Sequence, residues 1–160
     1  MLNISVVCVG KIKEVFMKEA ILEYSKRLSK YCRLKIIELP DEKVPDKLNL
    51  KIEEQIKEIE CKNIIANIPK DSYVISLDLK GKQYSSIQFS EKLSDIALRF
   101  NSNVTFIIGG SLGLTDEVLK KSDELICFSK MTFPHQLIRI FLLEQIFRSF
   151  KISRGETYHR

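Results

Sequence analysis

Hydrophobic residues along this chain alternate between two spacings, and that alternation confines it to few folds. Short runs at residues 4–9, 34–39, 73–79, 104–108 and 124–128 read as strands, the first β-branched and buried. Between them apolar residues recur at helical spacing. Residues 15–31 carry Phe16, Ala20, Tyr24 and Leu28 with Ile21 beside them, and residues 50–68 carry Ile52, Ile56, Ile59 and Ile64. Further helices are predicted over 90–100, with Ser90 as an N-cap, and from Thr115-Asp116-Glu117-Val118, whose acids suit the first turn. Pro134 opens a last helix reaching about residue 150. Pro40 stops the second strand, and a turn at Gly81 closes the third. Strands alternating with helices predict an α/β fold, a mainly parallel sheet flanked by helices.

The chain has 160 residues with 44% hydrophobic content, enough for one core, and no shift in composition divides it. It is read as one domain over 1–160, with 151–160 as a functional carboxyl-terminal tail. The longest uncharged stretch, 100–115, contains Asn, Ser and Gly and falls short of the roughly 20 apolar residues of a membrane span. The first ten residues lack a basic leader and a cleavage site, so a cytoplasmic protein without membrane association is expected. Cys8, Cys32, Cys61 and Cys127 are widely spaced, form no CxxC, and read as buried free thiols rather than metal ligands.

Net charge is +5, unevenly spread. Residues 130–160 hold six basic and two acidic side chains, whereas 38–60 hold four basic and eight acidic. Both histidines, His135 and His159, fall in the basic segment, a candidate nucleic-acid surface. The last helix is apolar on nearly every side: Leu137, Ile138, Ile140, Phe141, Leu142, Leu143, Ile146, Phe147 and Phe150 leave little polar face. Such a helix is buried on more than one side. A second subunit is the expected cover, with burial inside the same chain as the alternative.

Four segments can carry chemistry. Gly109-Gly110-Ser111-Leu112-Gly113 follows an apolar strand, where glycine lets backbone approach a ligand closely. The pattern is neither GxGxxG nor a phosphate loop. Phe128-Ser129-Lys130-Met131-Thr132-Phe133 follows the next strand, and its apolar members can wall an adenine or a methionine-like group. His135 and Arg139 lie four apart, on one helical face. The tail combines Arg154, Tyr158, His159 and Arg160, residue types that hold phosphates and stack on bases.

These segments together resemble the RlmH family of SPOUT-class methyltransferases. Gly-Gly-Ser-x-Gly, Ser-Lys-Met-Thr-Phe-Pro-His-Gln and Arg-Gly-Glu-x-Tyr-His-Arg occur in the family's order, preceded by Val-Gly-Lys-Ile-Lys-Glu and Leu-Pro-Asp-Glu-Lys. Thr157 and Arg160 depart from the residues many members carry there. The resemblance implies S-adenosylmethionine-dependent methylation of N3 of a pseudouridine in the helix 69 loop of 23S rRNA, on the assembled ribosome. It also implies a carboxyl-terminal trefoil knot and a homodimer. Carried over by motif, the cofactor contacts are Leu77, Gly109, Phe128, Ser129, Lys130, Met131, Thr132 and Phe133, and no metal is needed. His159, Tyr158 and Arg154 are the expected catalytic residues, with His135 and Arg139 behind them. The other readings are a ribosome-binding protein without activity and a small-molecule enzyme using an adenine cofactor.

Overall fold

The computed structural model describes residues 1–100 and 102–158. His159 and Arg160, both expected to act in the tail, lie outside the described residues. Ten elements alternate as expected: β1 (Leu2–Val9), α1 (Val15–Leu28), β2 (Cys32–Leu39), α2 (Leu50–Ala66), β3 (Tyr73–Lys82), α3 (Ser86–Arg99), β4 (Asn103–Ile108), α4 (Asp116–Lys121), β5 (Glu124–Ile126) and α5 (His135–Ser153). The five strands form one sheet in the order β2-β1-β4-β3-β5, and every neighbouring pair is parallel.

Strand periodicity splits the core into two layers. Ile4, Val6 and Cys8 of β1 face one cluster, which Phe89 and Leu93 of α3 and Leu142, Leu143 and Ile146 of α5 complete. Val7 and Val9 face the other, with Cys61 and Ile64 of α2 and Val118 of α4. Both faces of β1 are covered over its second half, so the run Val6–Val9 is apolar without alternation, whereas Asn3 and Ser5 alternate with apolar residues before it.

The all-round apolar character of α5 has its explanation inside the chain. The helix packs against α1 and α3 while resting on the sheet. Its Leu142, Leu143 and Ile146 are fully buried, and Phe141 is exposed at only 37%. The intrachain alternative thus accounts for most of the pattern that pointed to a second subunit.

Several boundaries and faces differ from expectation. Ser90 does not cap α3. Ser85 does, in a capping box with Gln88, and Ser90 is buried within the helix, donating to the Ser149 carbonyl at 2.8 Å. Phe16 and Ile59 are exposed, whereas Glu60 takes the buried stripe of α2 between Ile56 and Ile64. Strand β3 does not end at Gly81. It shifts register between Leu77 and Lys82, pairing both with Ile126. A Cβ on Gly81 would lie 2.5 Å from Ile126 backbone atoms, so glycine is required there by strand approach rather than by a turn.

All four cysteines are free and buried, as expected. Burial pushes the Cys8 and Cys32 thiols up to about 11, so neither is poised as a thiolate. Among the described residues no helix is long and apolar enough to cross a membrane.

Candidate functional site

The carboxyl ends of β3, β4 and β5 open into one cleft of about 1380 Å³. That exceeds the roughly 300–1,000 Å³ typical of a small-molecule pocket, leaving room for more than one ligand group. Three chain segments build its inner wall: Leu77 to Lys80 at the β3 register shift, Ile108 to Thr115 after β4, and Ile126 to Pro134 after β5. The position follows from topology, because loops leaving the same edge of a parallel sheet converge there.

The glycine turn is built by close approach. A Cβ on Gly109 would sit 2.9 Å from Leu114 Cδ2 and 3.2 Å from the Gly113 carbonyl carbon. Gly113 adopts φ +80, a left-handed conformation that favours glycine, and its N–H donates to the Gly110 carbonyl at 3.1 Å. The second loop is held by its own polar atoms. Cys127 Sγ donates to the Ser129 carbonyl at 3.0 Å, and the Met131 N–H donates to Ser129 Oγ at 3.0 Å. Phe133 stacks edge-on against Phe141 at 5.5 Å. Seven of the eight expected cofactor residues line the cleft: Leu77, Gly109, Phe128, Ser129, Met131, Thr132 and Phe133. Lys130 is the exception. It is exposed and does not contribute to the lining.

His135 reaches this cleft as the first residue of α5. Its Nε2 lies 3.2 Å from where a Cβ on Gly10 would stand, with Asp41 beside the same point. Burial, reinforced by the Arg139 guanidinium, holds its pKa below the usual histidine value against the pull of Asp41. An uncharged imidazole can accept a proton.

Arg139 plays a different part from the one expected of an active-site residue. It is fully buried, bonds Glu38 Oε2 at 2.8 Å, and donates to the carbonyls of Val9 at 3.3 Å and Gly10 at 2.9 Å. Glu38 Oε2 also accepts from the Ile12 N–H at 2.8 Å. Arg139 therefore ties α5 to the end of β1 and does not line the cleft. Much of the basic surplus near the carboxyl end is likewise matched by acids: Arg139 by Glu38, Arg148 by Glu144 and Lys151 by Glu156.

Arg154 and Tyr158 lie near the other end of α5. The Arg154 guanidinium sits 4.6 Å from the Tyr31 ring centre. Tyr158 packs edge-on against Phe147 at 5.1 Å, lies under Arg148 at 4.7 Å, and donates to Glu144 Oε1 at 3.2 Å. Residues 154–158 are thus docked on α5 and on Tyr31, just past the end of α1. From His135 to Phe147 is about 18 Å along the helix axis, so one chain does not bring these tail residues to its own cleft. Sequence reasoning missed Glu60 behind Gly110, Asp41 beside Gly10 and Glu38 on Arg139, which support cleft residues without lining the cleft. Glu60 lies on the buried stripe of α2, a phase that Ile59 beside it obscures in the sequence.

A family model described as a predicted SPOUT methyltransferase matches residues 2–159. The ribosomal RNA large subunit methyltransferase H of Clostridium acetobutylicum is 56% identical over 99% of this chain and 100% of its own length. The protein of the same name from Clostridium tetani is 54% identical with the same coverage. Among solved structures, a probable methylase family protein from Haemophilus influenzae aligns with a TM-score of 0.57 at 12% identity, covering 98% of this chain and 70% of that one. A Legionella pneumophila protein solved with bound SAM aligns with a TM-score of 0.50 at 14% identity, covering 93% and 66%. The two structures share the fold, and the sequence matches extend over the strand-end loops that build the cleft. By fold, by sequence and by the loops at its sheet edge, this chain belongs to the SPOUT methyltransferase family.

Proposed function

We propose that the chain methylates N3 of a pseudouridine in the helix 69 loop of 23S rRNA, on the assembled ribosome in the cytoplasm, using S-adenosylmethionine. The observation that carries this reading is the cleft between the 109–113 glycine turn and the 128–133 loop. The relatives that match over their full length carry the name ribosomal RNA large subunit methyltransferase H. The reading includes the carboxyl-terminal trefoil knot, which would draw these two loops around the cofactor.

The residues present fit that cofactor. Gly109 lets the turn fold back tightly on Leu114 and Gly113 at the cleft wall, where its backbone groups can serve an adenine edge. Phe128 and Phe133 supply apolar walls, and Ser129 braces the loop that carries them. When bound, S-adenosylmethionine supplies a methyl group already activated by its sulfonium. The protein's task is alignment of the target nitrogen and removal of its proton. His159, Tyr158 and Arg154 are assigned proton handling, base stacking and RNA positioning, with His135 as a second proton acceptor at the cleft. Arg139 supports this arrangement by fixing the start of α5.

The separation of tail and cleft along α5 supports a homodimer in which one protomer's tail completes its partner's cleft. Phe141, exposed at 37%, and Met131, exposed at 73%, are apolar surface available beside the cleft loops.

Gly109→Val tests the site. It introduces two methyl groups where even a Cβ meets Leu114 at 2.9 Å. Calorimetry should show S-adenosylmethionine binding weakened by at least about tenfold, about 1.4 kcal/mol, with the circular dichroism spectrum retained. Unchanged affinity would remove the turn from the cofactor site.

A further inference from the structure

Glu60 is the one acid on the buried stripe of α2, exposed at 5%. Its carboxyl fills the space behind Gly110. A Cβ there would lie 3.1 Å from Oε2 and 3.3 Å from Oε1. Oε1 accepts from the Glu42 backbone N–H at 3.3 Å. One side chain thus touches both the glycine turn and the loop after β2. Oε2 is buried and has no hydrogen-bond partner among the described residues.

We propose that Glu60, in its protonated form, is a positioning residue that holds the 109–113 turn in the shape that receives the cofactor. The inference rests on the reading that S-adenosylmethionine binds at this turn. An unpaired buried hydroxyl is far cheaper than an unpaired buried anionic oxygen. Among the described residues the one hydrogen bond to the carboxyl comes from the Glu42 N–H, and the charges that act on it, Asp41 and Glu42, are both acidic. Across Gly10 the same corner holds His135 and the Glu38–Arg139 pair, whose guanidinium is committed to Glu38 and to backbone carbonyls. Burial first, and then the Asp41 and Glu42 carboxylates, push the Glu60 pKa up, while the Glu42 N–H opposes them. Ionisation would place a charge against Gly110 and repel the 41–42 segment, loosening both walls it joins.

The experiment is calorimetric titration of the intact protein with S-adenosylmethionine, for the wild type, Glu60→Ala and Glu60→Gln. Circular dichroism and thermal melts accompany each variant. Glu60→Ala should weaken binding about tenfold or more, and Glu60→Gln, a neutral isostere, should restore it to within about twofold of the wild type in acid. As pH is raised from acid, wild-type affinity should fall as Glu60 ionises, by up to about tenfold per pH unit, while Glu60→Gln stays flat over that limb. Identical profiles for the wild type and Glu60→Gln would overturn the proposal. So would a folded Glu60→Gln that binds tenfold more weakly than the wild type at every pH. If Glu60→Ala fails to fold, the comparison of wild type with Glu60→Gln still decides. Absence of binding by the wild type would overturn the cofactor reading itself, and this inference with it.

Discussion

A chain ending at Ser153 should bind S-adenosylmethionine and transfer no methyl group. Its cleft is intact, because none of residues 154–158 lines it. It lacks Arg154, Tyr158 and His159, to which RNA positioning, base stacking and proton handling are assigned. Loss of a general base alone typically costs about 100-fold or more in turnover. The deletion also uncovers the Phe147 ring and removes the Tyr158 hydrogen bond to Glu144. Stability should fall by about 2 kcal/mol, a drop in Tm of roughly 4–8 °C. A mixture of the truncated chain with Gly109→Val then separates the two ways a tail can act. Heterodimers that pair an intact cleft with a partner's intact tail should recover activity. If the truncated chain alone methylates ribosomes at a normal rate, the tail has no part in the chemistry, and the proton acceptor must be sought at His135.

The second large effect is on the fold. Arg139→Met keeps an apolar stem of similar length but removes the guanidinium that bridges Glu38 to the Val9 and Gly10 carbonyls. Breaking a buried pair from one side costs about 3–5 kcal/mol, because the partners are left unpaired. Glu38 retains 37% side-chain exposure and the Ile12 N–H, so the orphaned carbonyls at the end of β1 account for much of the loss. In urea the midpoint should fall with the slope unchanged. Glu38→Gln should cost less than Arg139→Met, since its amide oxygen still accepts from the guanidinium. A loss below about 1 kcal/mol for Arg139→Met would mean that water replaces the bridge.

Much of this was readable from residue spacing because the two periods differ so strongly. Val6–Val9 of β1 and Phe106–Ile108 of β4 are apolar on both faces, the pattern of strands in a covered parallel sheet. The glycine turn and the Phe128–Phe133 walls were readable because each follows a strand directly. Four features were not. Strand order depends on long-range pairing, which no local pattern encodes. Helix phase was ambiguous in α2, where Ile59 sits one position from Glu60 and hydrophobicity alone favours burying the isoleucine. Arg139 read as a candidate site residue beside His135 because its compensating groups, Glu38 and two carbonyls, lie about a hundred or more residues earlier. For the same reason the docking of Tyr158 on Phe147 was invisible. A terminal segment reads as free unless its partner is known.

The proposed methyl transfer from this cleft to a ribosomal pseudouridine is tested by transfer of tritiated methyl from S-adenosylmethionine to ribosomes that lack the modification, followed by mapping of the labelled nucleotide. The expected result is a single labelled position in the helix 69 loop of 23S rRNA, with the methyl on N3 of pseudouridine and no labelling by the chain ending at Ser153. Label at another nucleotide, or none with a protein that binds the cofactor, would contradict the account.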